Sequence, residues 1–231
     1  FNGRNNYLNP DIAEIDPEDL TTYEVGLKSS FFDSRLVVNV AQFYSIYEDI
    51  QLIVLIPNAD VQNVNIALLN AGESRIQGGE LEMVLQPFPN LQIRQALGVL
   101  HDRFTDFHDP SDPRAKDRHL QFLSSYQSST SLEYSFPLFD MGMLTARTDW
   151  SARSRQFLEV TNSDALESGK RALLDARLSL QLNDGVTELA LFGKNLLDRE
   201  YLVSGVDFSA TFGQASRMVG PPRTYGLEVR R

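Results

Sequence analysis

The chain has 231 residues, 31 acidic against 21 basic, for a formal charge of −10, with 42% hydrophobic and 23% charged side chains. That composition excludes a disordered chain, and the acidic balance argues against a nucleic-acid surface, which would carry a basic stripe. The longest purely apolar run is Leu52–Ile56, far short of the roughly 20 residues of a membrane-spanning helix, and without cysteine there is no disulfide framework or thiol chemistry.

Two-residue alternation predicts nine strands, near 21–29, 36–50, 74–86, 91–103, 121–136, 143–156, 171–182, 186–196 and 223–231. In the third, Glu80, Glu82 and Gln86 oppose Leu81, Met83 and Leu85. In the fifth, Gln127, Ser129, Ser131 and Glu133 alternate with Tyr126, Leu132, Tyr134 and Phe136 on the other face. The sixth sets Arg147, Asp149, Arg153 and Arg155 against Leu144, Ala146, Trp150 and Ala152. In the seventh, Asp175, Arg177 and Ser179 face away from Leu174, Leu178 and Leu180. Successive side chains of a strand point to opposite sides, so each segment separates a wet face from an oily one.

Most of these strands exceed the five or six residues of an average soluble strand. Ten residues rising about 3.3 Å each and tilted near 45° cover roughly the 25 Å apolar band of an outer membrane. Short turns fall at Phe32–Arg35, Pro87–Asn90, Pro137–Gly142 and Asn183–Gly185, and long links at about 51–73, 104–120, 157–170 and 197–222. Short and long alternate without exception, as in a membrane barrel with periplasmic turns and external loops. Phe32, Phe88 and Phe139 stand at the short turns, where interfacial girdles form. An odd number of antiparallel strands cannot close on itself, and an open edge in lipid is costly, so these strands are expected to belong to a larger barrel. The predicted fold is all-β, an antiparallel transmembrane β-barrel present in part.

Four stretches then resemble the C-terminal barrel half of TonB-dependent outer-membrane receptors: Leu20 to Lys28 (LTTYEVGLK), Arg75 to Glu82 (RIQGGELE), Ala190 to Tyr201 (ALFGKNLLDREY) and Gly220 to Arg230 (GPPRTYGLEVR). The resemblance departs at Gly79, where the family carries a bulkier residue, and at Arg231, where family strands end in an aromatic residue; a few residues are expected to follow it. What the resemblance implies is integral outer-membrane location in a Gram-negative cell and TonB-driven uptake of a bulky nutrient such as a ferric siderophore. It also implies a barrel of about 22 strands with a plugged lumen. The whole chain, 1–231, would be barrel wall, with the plug and the TonB-contacting segment upstream of Phe1. Implied partners are membrane lipid, the transported ligand, the plug and TonB, with no nucleic acid and no cofactor.

The candidate lumen residues are Arg147, Asp149, Arg153, Arg155, Glu80 and Glu82. Guanidinium forks suit an anionic chelate; the plainer reading makes these residues partners of plug carboxylates and of neighbouring strands. His101, His108 and His119 flank a loop rich in aspartate, but their spacing matches no compact metal motif. No nucleophile elbow, phosphate loop or zinc-protease helix occurs, so no enzyme is expected. The rival readings are a passive porin, an outer-membrane hydrolase barrel, and a soluble carbohydrate-binding sandwich whose oily faces meet in one dry core.

Overall fold

A computed structural model describes residues 15–57, 64–70, 72–107 and 115–231. Nine strands make one sheet: β1 Asp19–Phe31, β2 Leu36–Glu48, β3 Gly72–Phe88, β4 Leu91–Phe107, β5 Tyr126–Leu138, β6 Gly142–Arg153, β7 Arg171–Leu182, β8 Glu188–Lys194 and β9 Thr224–Arg230. Each pairs with its neighbours in sequence, so the sheet is a meander with β1 and β9 at open edges. All of these pairings are antiparallel.

The register aligns every oily face. Leu27 pairs with Val40, Val40 with Leu81 and Leu81 with Leu97. Farther round, Ala146 pairs with Leu178, Leu178 with Leu191 and Leu191 with Leu227. A slip of one residue in any strand would turn its whole apolar set to the wrong side, so this pattern fixes the pairing. The face is not covered by protein: Leu27 is 65% and Leu227 83% exposed. The sandwich reading therefore fails, because among the described residues no second sheet meets these leucines.

At one rim the connections are tight. Gly185 takes φ 73°, a left-handed conformation open to glycine without strain. Asp184 fastens the same turn by accepting from the Val186 and Thr187 amides at 2.9 and 2.8 Å and from the Thr187 hydroxyl at 2.6 Å. Phe32, Phe88 and Phe139 project from this rim, as a girdle requires. Inside the sheet, Gly78 is needed for close approach: a Cβ there would lie 2.6 Å from the Val99 carbonyl and 2.7 Å from the Phe43 ring. Gly79, one residue on, has no such neighbour, the nearest being the Ala41 carbonyl oxygen at 3.5 Å.

At the other rim the predicted structureless links contain further pairing. Gln51–Pro57 pairs with Val64–Asn70, Gln156–Phe157 with Glu167–Ser168, and Leu202–Phe208 with Gln214–Val219. The fifth and sixth predicted strands are also corrected: β5 begins at Tyr126 rather than 121, and β6 ends at Arg153 rather than 156. The two limits coincide, because the last rung of the β5–β6 ladder pairs Gln127 with Arg153. A hydrophobic core of Ile50, Leu52, Phe104, Phe107, Ala115, Leu120 and Val160 gathers at this rim, above the wall.

Candidate functional site

The face opposite the oily one lines a concave surface. On β6 it carries Thr145, Arg147, Asp149, Ser151 and Arg153 in order from the short-turn rim toward the loops. Arg147 forks onto Asp149, its Nε 2.8 Å from Oδ2 and its Nη2 2.7 Å from Oδ1, and Glu133 lies 3.6 Å away across β5. Its neighbour across the ladder on β7 is Arg177, which donates to Glu188 at 2.6 Å and Glu228 at 2.9 Å. Two adjacent guanidiniums are thus flanked by carboxylates across five strands, and the positive charge of Arg147 is matched within the wall. Glu188 and Glu228 were not among the sequence candidates; their even-numbered places on β8 and β9 are the signal that would have found them.

Nearer the loops the balance changes. Arg153 and Arg171 are direct partners across the β6–β7 ladder. Arg153 donates to Ser168 at 3.2 Å, and the Arg171 guanidinium lies 4.3 Å from the Tyr201 ring centroid. The two cations share a cleft of about 360 Å³ with Glu80, Glu82, Gln127 and Ser129. Glu82 also accepts from Asn39 at 3.3 Å. The structure therefore brings Glu80, Glu82 and Arg153 together and adds Arg171, while Arg147 and Asp149 form a separate pair closer to the turns. Arg155 is corrected in position. It lies beyond the end of β6, bonded to Glu167 at 3.3 Å and set over the Phe157 ring at 5.8 Å.

The loops above this cleft are tied to one another. Asp102 is 4% exposed, and its carboxylate accepts from the Leu120 amide at 2.7 Å and from His119 Nδ1 at 2.9 Å. Asn162 clasps His119 from the next loop, its Oδ1 accepting the His119 amide at 2.6 Å and its Nδ2 donating to the His119 carbonyl at 2.9 Å. Ser163 donates to Asp207, and Leu166, sealed from solvent, packs where Gly205 leaves room. The Ser163 hydroxyl holds the Asp207 carboxyl below the usual carboxylate range. Burial pushes the Glu159 carboxyl up despite a hydrogen bond from Thr161. Among the described residues no group of three or more acidic or histidine side chains is placed to hold a metal; His108, Asp109 and Asp112 lie outside them.

Asn195 explains one recognisable stretch. It is buried, with φ 49°. Its side chain accepts from the Arg199 amide at 2.9 Å and donates to the Arg199 and Pro221 carbonyls at 2.9 and 3.2 Å. One side chain thus joins the exit of β8 to the entry of β9.

A single antiparallel meander, oily outside and charged inside, with tight turns at one rim and packed loops at the other, is the wall of an outer-membrane β-barrel. The family model "TonB dependent receptor-like, beta-barrel" matches residues 1–196, and the chain belongs to that family of integral outer-membrane proteins. Among solved structures it is similar to the ferric yersiniabactin uptake receptor FyuA from Yersinia pestis, with TM-score 0.75 and 23% identity over 92% of this chain and 30% of that one. The copper transporter OprC gives 0.70 and 19%, over 94% of this chain and 31% of that one. BauA, the ferric preacinetobactin receptor from Acinetobacter baumannii, gives 0.64 and 22%, over 96% and 31%. The chain thus spans about three-tenths of these receptors.

Proposed function

We propose that this chain is the C-terminal wall of a receptor for TonB-driven import of a bulky anionic metal chelate, of the ferric siderophore class. On this reading the plug and the TonB-contacting segment belong to the same protein, upstream of Phe1. The observation that carries it is the adjacent pair Arg153 and Arg171 in a concave lumen cleft, directly below loops bound into one packed rim. Two guanidiniums side by side repel one another, and a ligand or plug carboxylate between them relieves that repulsion. Glu80 and Glu82, across the same cleft, offer the complementary charge to basic groups of the plug. Loops tied together over the lumen favour capture and gating over the open bore of a passive porin.

The test is growth of a strain lacking the full-length gene on a panel of ferric chelates and vitamins, with and without TonB. Growth on a chelate that requires both the receptor and TonB supports the reading. Growth unchanged across the panel overturns it. Replacing both Arg153 and Arg171 by Gln is expected to lower uptake at unchanged surface expression.

A further inference from the structure

Above the oily band, the outward face of β3 and β4 changes chemistry. Tyr44 pairs with Gln77, Gln77 with His101, and Val99 with Tyr126, so aromatic side chains close the band. One step nearer the loops, Arg75 and Arg103 are partners across the ladder. Because β5 starts opposite Val99, the next stretch of β4 is flanked not by a strand but by the strap 115–125. The Leu100 amide donates to the Ser125 carbonyl at 2.9 Å, and Asp102 holds His119 and Leu120 from the same strap.

The strap brings Lys116 and Arg118 alongside His101 and Arg103, around a cavity of about 500 Å³. His101, Arg103 and Lys116 are exposed, and the Arg118 guanidinium lies over the Phe107 ring at 5.4 Å. Among the described residues the acids in the lining are Asp102, which is buried and bonded to the strap, and Asp117. In a chain of net charge −10, the exposed cations Arg103 and Lys116 therefore converge on one outward spot. From Val99 to Arg103 the strand climbs about 13 Å along its axis, or about 9 Å along the membrane normal at 45° tilt. That height above an aromatic belt is where lipid headgroups lie.

We propose that this cavity binds the phosphate of a phosphorylated acyl glycolipid in the outer leaflet, with acyl chains running down over Leu97, Val99 and Tyr126. Arg103 provides a planar fork for phosphate oxygens, and Lys116 lays its methylene stem toward the acyl boundary with its ammonium at the headgroup. The inference rests on outer-membrane location and is independent of what the receptor transports.

The experiment titrates the full-length protein in detergent with a bisphosphorylated acyl glycolipid and with its enzymatically dephosphorylated form, read by native mass spectrometry. The wild type is expected to prefer the phosphorylated lipid by about tenfold or more, given two cations at the surface. Arg103→Gln with Lys116→Gln should abolish that preference, while Arg103→Lys with Lys116→Arg should keep most of it. Heat-modifiable migration in gels identifies the variants that fold. Equal affinity of the wild type for the two lipids overturns the proposal, as does an unchanged preference in the double Gln variant. Displacement of the lipid by millimolar inorganic phosphate assigns the site to a soluble anion and overturns the lipid assignment.

Discussion

The wall and the mouth of this molecule use the same residue types for opposite ends. Leu27, Leu191 and Leu227 in the wall are each more than half exposed on the protein surface, whereas Ile50, Leu52 and Leu166 at the mouth are sealed. The wall's leucines are complete only against lipid, which is also why its backbone must be fully paired by neighbouring strands. The mouth's leucines are complete against protein and are held there by exclusion from water. One chain thus carries two hydrophobic surfaces, each defined by a different solvent. The polar residues divide in the same way: in the wall they pair across strands, as Arg177 does with Glu188 and Glu228, and at the mouth they stitch loop to loop.

The sharpest way to break this comparison is to place a charge on the lipid face. Leu191 sits midway along β8, flanked by Leu178 and Leu227. Leu191→Arg is expected to cost about 2–4 kcal/mol, the value for a cation near the bilayer midplane, read as a drop in the urea midpoint of the full-length protein in bilayers. Ser129→Arg, on the exposed lumen face of β5, should cost far less. If the two substitutions behave alike, the assignment of faces is wrong. Comparable in size but confined to the mouth is Leu166→Ala. A sealed leucine truncated to alanine costs about 2–5 kcal/mol, and here the loss should be local. Hydrogen exchange is expected to quicken at 157–168 and 202–219 and to stay unchanged in β1–β9. Equal quickening in the wall would show that mouth and wall are one cooperative unit.

Most of the wall was legible because alternation with period two leaves no other arrangement for residues such as Leu174, Leu178 and Leu180. All nine wall strands lie within a few residues of their predicted limits, apart from the start of β5. The mouth was not legible for a physical reason. Leu52–Ile56 is a continuous apolar run, which periodicity alone cannot assign to a strand, and its partner Val64–Asn70 lies inside what reads as a link. The lumen residues divide similarly. The fork of Arg147 on Asp149 follows from their spacing along one strand. The pairing of Arg153 with Arg171 depends on interstrand register, and Arg155 continues the alternation of β6 although the last β5–β6 rung is Gln127 with Arg153.

A smaller effect tests how the mouth is fastened. Asp102→Ala removes the acceptor for the Leu120 amide and for His119, leaving a donor unmatched near a buried position. The expected cost is about 1–3 kcal/mol, seen as faster exchange at Leu120 and along the strap. Exchange in β7–β9 should not change. A loss shared by those strands would mean that the strap also supports the wall, contrary to the division drawn above.

The smallest effect concerns pH, and its sign separates two carboxylates of the mouth. Asp207 is held low first by the hydrogen bond from Ser163 and then by Ser209. Its contribution is therefore fully present above the unfolded aspartate value of about 3.9 and disappears only as pH falls through its lower folded value. Glu159 is raised, chiefly by burial. Its folded form binds a proton that the unfolded chain has released, so its contribution is complete below about 4.3 and is lost as pH rises through the raised value. Between neutral pH and the unfolded glutamate range, the loop 157–170 should thus become slightly more protected as the solution is acidified, once exchange is corrected for its intrinsic pH dependence. Glu159→Gln should flatten that trend, while Asp207→Asn should leave it in place and lower protection at every pH above 4. If acidification loosens the loop across that window in the wild type, Glu159 is not buried as placed, and the mouth is more open to water than its packing indicates.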